Sequence, residues 1–127
     1  MPRKPTTTLT DGELRLMNVL WRSGPSTVLE IQDALEDDLV DSTIRTLLRI
    51  LEDKGYVKRR KEGRAFRYHP LVDHEETRAS VLDHLVQRFF HTPGDLVLSL
   101  LKRGELDEAE LARIRRALEA RRKEKPE

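Results

Sequence analysis

The stretch Asp41–Leu51, DSTIRTLLRIL, restricts this chain more than any other. Ile44, Leu47, Leu48 and Leu51 recur at helical spacing and make one apolar stripe. Opposite that stripe lie Ser42, Thr46 and Arg49, with Arg45 on one flank and Thr43 on the other. No carboxylate follows Asp41 until Glu52 and Asp53. The stretch therefore predicts a helix that buries one face and turns hydroxyls and guanidiniums outward. Such a face suits phosphates and guanine edges, whereas carboxylates are repelled by phosphate. Many surface helices carry Ser, Thr and Arg on their wet side, so the reading turns on what flanks the helix.

Two capped helices precede it. Leu9–Arg22 reads as a helix with Thr10 at the N-cap, Glu13 closing a capping box, and Leu9 and Leu14 forming a staple. Leu14, Met17, Leu20 and Trp21 form its expected buried face, and Ser23-Gly24-Pro25 stops it. Thr27–Leu35 repeats the logic with Thr27 as cap, Glu30 closing the box, and Val28, Ile31, Ala34 and Leu35 facing inward. Glu36, Asp37 and Asp38 read as a solvated turn, since consecutive acids do not converge on one metal. Residues 1–8 read as a frayed arm.

A hairpin follows the Asp41 helix, which ends at Lys54-Gly55. Tyr56–Lys61 and Arg64–His69 flank Glu62-Gly63, with Val57, Phe66 and Tyr68 at strand spacing. The net charge of the whole chain is only +1, yet Lys54–Arg67 holds seven cations against one anion. The basic patch is local. Helix, helix, helix and basic hairpin, in that order, predict a winged helix-turn-helix over residues 9–71 that binds DNA. Ser42, Thr43, Thr46 and one of the arginines are the candidate base readers. Arg45, Arg49, Lys58, Arg59, Arg60, Lys61, Arg64 and Arg67 are the candidate phosphate ligands.

The second half predicts three short helices with no sheet, making the fold class mainly α. Asp73 caps the first, with Glu76 at N3; Thr92 caps the second, with Pro93 at N1; Asp107 caps the third, with Glu110 at N3. Their apolar side chains include Leu82, Leu85, Val86, Phe89, Phe90, Leu96, Val97, Leu100, Leu101, Ile114 and Leu118. Fully burying one Leu or Phe is worth roughly 1.5–3 kcal/mol. Left wet, these side chains form a patch that invites aggregation. A second copy offering the same surface resolves this, so residues 72–122 are expected to be a dimerisation domain. Packing of these helices on the first domain is the alternative.

Three segments, LTDGELRLMNVLW, STIRTLLRILEDKGYVKRRKEGRAFRYHPLV and DLVLSLLKRGELDEAELARIRRAL, together resemble the bacterial penicillinase repressors, with methicillin-resistance and copper-responsive repressors as relatives. The resemblance runs from Leu9 to about Leu118. It implies homodimers that bind inverted-repeat operators and block transcription, here through helix 42–54 and a basic wing at 56–69. By that analogy Thr43, Arg45 and Thr46 lie on the recognition helix, with Glu62 to Arg64 near phosphate. The copper-responsive branch binds metal through Cys-x-Cys elements, and this chain has no cysteine. In the antibiotic-responsive branch a membrane-bound sensor protease cuts between Asn and Phe; Ser99-Leu100 stands at the aligned position, so the same cleavage rule does not carry over directly. The family pattern tends to place a polar residue where Ile50 sits, which points to different base contacts.

No catalytic site is legible. His69, His74, His84 and His91 are scattered, and no HExxH, GxSxG or P-loop occurs. No metal and no cofactor is expected. The N-terminus lacks an apolar region and no long apolar run occurs, so a cytoplasmic protein without membrane insertion is expected. A winged helix used for protein contacts, or an activator in place of a repressor, are the rival readings.

Overall fold

Local capping chemistry sets the first helix. The computed structural model describes residues 9–124; the arm read at residues 1–8 lies outside them. Helix α1 (Asp11–Ser23) starts where the Thr10 hydroxyl accepts from the Glu13 N–H. Glu13 then turns inward. Its carboxylate accepts from the Thr10 hydroxyl at 2.9 Å and from Lys54 Nζ at 2.6 Å, and only 3% of the residue stays exposed. The buried face is Leu16, Met17, Val19 and Leu20. Leu14 is not part of it, contrary to the sequence reading: it is 40% exposed and lines an open groove with Leu9, Trp21, His74 and Val81. Trp21 is half-buried, its indole N–H donating to the Val72 carbonyl at 3.0 Å.

Strand β1 (Ser26–Thr27), which no sequence pattern announced, leads into helix α2 (Val28–Ala34). Thr27 and Glu30 form the expected reciprocal capping box. Val28 and Ile31 are buried and Leu35 is half-buried, but Ala34, the last residue of α2, is exposed, contrary to the expected inward face. Glu36 and Asp37 take positive φ in the turn that follows. Helix α3 (Asp41–Lys54) buries Ile44, Leu48 and Leu51, with Leu47 half-buried. It ends at Gly55, whose φ of 88° is the left-handed conformation a Cβ would strain.

Strands β2 (Val57–Glu62) and β3 (Ala65–Pro70) lie one residue later than the sequence reading placed them. The turn is Gly63-Arg64, not Glu62-Gly63, and Gly63 at φ 62° takes the first central position, as a type II′ hairpin requires. All pairings are antiparallel, in the order β1-β3-β2. Among the described residues, twelve buried hydrophobic side chains form the core, from α1, α2, α3, the sheet and Tyr56 just before β2. These elements make the winged helix-turn-helix.

Helix α4 (His74–Phe89) starts where the Asp73 carboxylate accepts from the Glu75 and Glu76 N–H groups. The chain divides into two units inside this helix, one extending to His84 and one beginning at Leu85. The division falls later than residue 72 because the first turns of α4 belong to the first unit: Thr77 is buried there, and the His74 ring lies 4.8 Å from that of Trp21. Helix α5 (Pro93–Lys102) is capped by Thr92. Helix α6 (Glu108–Glu124) opens on a reciprocal Asp107–Glu110 box, with bonds of 2.8 and 3.2 Å. Neither α5 nor α6 holds a buried residue. Among the described residues, no helix is long and apolar enough to cross a membrane.

Candidate nucleic-acid interface

The apolar stripe of α3 faces the core, and this fixes what its other side presents. Ser42, Thr43, Arg45, Thr46 and Arg49 are all exposed. The Arg45 Nε donates to the Asp41 carboxylate one turn earlier at 2.6 Å, and that pairing raises the guanidinium's pKa. The Thr46 hydroxyl donates to the Ser42 carbonyl at 2.9 Å, which leaves its oxygen turned out as an acceptor. Ile50 is also exposed, so the outward face carries one large aliphatic group among polar ones.

The hairpin divides its cations by strand alternation. Arg59 and Lys61 share a face with Val57, Phe66 and Tyr68, as the register pairs Arg59 with Tyr68 and Lys61 with Phe66. Lys58 and Arg60 share the other face with His69 and Arg67. Arg64 stands at the turn. Arg59 is held where the wing meets α3: its guanidinium lies over the Phe66 ring at 4.5 Å and 3.7 Å from the Glu52 carboxylate. Among the described residues Arg49, Lys58, Arg60, Lys61 and Arg64 make no ion pair, so their charge is open to a phosphate backbone.

Arg67 differs. Its Nε and Nη2 donate to the two oxygens of Glu62 at 2.6 and 3.1 Å, and its Nη1 donates to Glu30 at 2.8 Å and to the Pro25 carbonyl at 3.0 Å. A phosphate approaching Arg67, one of the expected phosphate ligands, therefore meets two carboxylates. Asp41, Glu30, Glu52 and Phe66, none of which the sequence pattern assigns to the basic face, contact Arg45, Arg67 and Arg59 there. The i,i+4 spacing of Asp41 and Arg45 was a readable signal; Glu30 and Arg67, 37 residues apart, offered none.

The apolar side chains of the second half are largely uncovered. Leu82, in the first unit, is 49% exposed. In the second unit Leu85, Phe89, Val97, Leu100, Leu101, Ile114 and Leu118 are exposed, Phe89 to 75%, while Val86, Phe90 and Leu96 are half-buried.

Known proteins with the same sequence pattern are informative at this point. The family model described as penicillinase repressor matches residues 9–120. The penicillinase repressor of Bacillus licheniformis is 32% identical over 123 residues, covering 94% of this chain and 95% of that one. The methicillin resistance regulatory protein MecI of Staphylococcus aureus (strain N315) is 26% identical over 115 residues, covering 87% and 92%. The solution structure of the DNA binding domain of the repressor BlaI superposes with a TM-score of 0.52 at 32% identity, over 58% of this chain and 92% of that one.

Proposed function

The chain belongs to the penicillinase repressor family, and we propose on that premise that it is a transcriptional repressor that binds duplex DNA as a homodimer. Helix α3 enters the major groove and the β2–β3 wing holds the adjoining backbone. The observation that carries this reading is the two-sidedness of α3. Ile44, Leu48 and Leu51 are wholly buried, while Ser42, Thr43, Arg45, Thr46 and Arg49 face outward together. Thr43, Thr46, Ser42 and Arg45 read base edges. Arg49, Lys58, Arg59, Arg60, Lys61 and Arg64 neutralise phosphates.

Dimerisation supplies the second half-site. The uncovered apolar side chains of α4, α5 and α6 are supplied with a partner by a second copy presenting the same surface. Two recognition helices then reach half-sites about one helical turn, or a multiple, apart on an inverted repeat. Anything that splits the dimer removes one half-site's binding energy. A sensor protease acting near Ser99-Leu100 is such an agent. That bond lies inside α5, so cleavage there requires the helix to open. The reading places the protein in the cytoplasm and gives it no catalytic role.

Footprinting on genomic DNA tests the proposal, with two protected half-sites related by twofold symmetry as the expected result. A chain that ignores both heparin and duplex DNA at low salt is instead a module for protein contacts.

A further inference from the structure

We propose that Arg67 is the positioning residue of the wing, bracing the hairpin against the start of α2 so that its open cations meet the backbone, without taking a phosphate itself. The inference rests on the DNA-binding reading and adds a residue that works behind the interface.

The geometry is specific. Four of the five guanidinium N–H donors are engaged, as a fork on Glu62 and as two bonds to Glu30 and the Pro25 carbonyl. Only 26% of the Arg67 side chain is exposed. Its partners come from three places in the chain: the end of β2 beside the turn, the first turn of α2, and the segment before β1. Glu30 is oriented independently of Arg67, because its carboxylate also accepts the Thr27 N–H at 3.0 Å in the capping box. The arginine thus ties the tip end of the wing to a fixed point on the helical body.

Charge explains why two carboxylates are needed. Arg60 sits directly across the ladder from Arg67, and like charges facing one another destabilise a strand pair. Glu62 and Glu30 offset the Arg67 charge and leave that of Arg60 open. The titration of the three groups agrees. The Thr27 N–H and then Arg67 hold Glu30 below the usual carboxylate range, Arg67 does the same for Glu62, and the two carboxylates hold Arg67 above its ordinary value.

The test is fluorescence anisotropy of the full chain on a mixed-sequence duplex of about 30 base pairs, long enough for two half-sites, titrated against KCl. Arg67→Met is expected to bind roughly threefold to tenfold more weakly at every salt concentration, with the log–log salt slope unchanged. Arg64→Ala, by contrast, is expected to lower the slope by about 0.9. Glu30→Gln is the discriminating variant. Removing an anion near DNA tightens binding if Glu30 is only a repulsive charge; losing the brace weakens it. The double variant Glu30→Gln, Arg67→Met is expected to bind no more weakly than Arg67→Met alone, and Arg67→Lys, which keeps the charge but not the fork, to fall between. Thermal melts confirm that each variant is folded. A slope that drops by about 0.9 in Arg67→Met, or tighter binding by Glu30→Gln, overturns the positioning role and leaves DNA binding standing. A native chain that ignores the duplex at low salt overturns both.

Discussion

The two units of this molecule solve the same problem in opposite ways. Among its described residues, the unit extending to His84 encloses twelve hydrophobic side chains, several at 0% exposure. The unit from Leu85 has helices as well capped as any in the first, yet nothing in α5 or α6 is buried. Caps decide where a helix begins. They do not decide whether its apolar face has anything to rest against, and most helical stability comes from that packing. The first unit finds the opposing surface within itself, in a sheet that closes over α1 and α3. The second carries the surface and lacks the counterpart, which is why it is proposed to act as one half of a dimer.

That contrast is open to attack in several places. Leu48→Ala opens a cavity in the closed core and is expected to cost about 2–5 kcal/mol of folding stability, read by denaturant unfolding. Leu101→Glu, on the open surface, is expected to leave the first unit's unfolding transition in place while light scattering shows dimers replaced by monomers. Each apolar side chain so removed forfeits roughly 1.5–3 kcal/mol of burial per protomer. If Leu101→Glu stays dimeric at tens of micromolar, the contrast between the units is misdrawn. Arg45→Ala is expected to cost roughly tenfold or more at a single base pair of the operator, seen by competition among mutated sites. Arg64→Ala is expected to weaken all of these sites alike.

The smallest effect belongs to Glu13, which sits at the edge of the closed core. Burial pushes its pKa up, but the hydrogen bonds from Lys54 and Thr10 and the charge of Lys54 outweigh it, and the net pKa is lowered. A carboxylate whose folded pKa is depressed adds stability that is fully present above the unfolded value, about 4.3. That stability is lost as the pH falls through the folded value. Melting temperature is therefore expected to drop as the pH is taken below about 4.5, and Glu13→Gln to remove that part of the slope. An unchanged slope in the variant would show that the pair does not hold α1 to the end of α3.

Much of this architecture was legible residue by residue. The caps at Thr10, Thr27, Thr92 and Asp107 act over three residues, and each forms as the spacing predicts. The stripe of α3 is equally local, so both its buried and its outward faces follow from periodicity. The misplaced features are those that neighbours decide. Leu14 has the right spacing for the core but lines a groove between α1 and the first turns of α4. The hairpin turn moved by one residue because Gly63 suits the first central position of a two-residue turn. β1 is too short to carry a pattern and exists only through its pairing with β3.

Composition and periodicity by themselves determined which segments are helices, which side of α3 is wet, and that the last helices carry more apolar surface than they can cover. Those properties are set by residues three or four apart along the chain. Tertiary structure alone decided which cations are open. Arg67 and Arg64 read identically as letters in a basic run, but only folding brings Glu30 and the Pro25 carbonyl, 37 and 42 residues away, against the first of them. A charge acts on a ligand only when no nearer partner holds it, and nearness in a fold is not nearness in the chain.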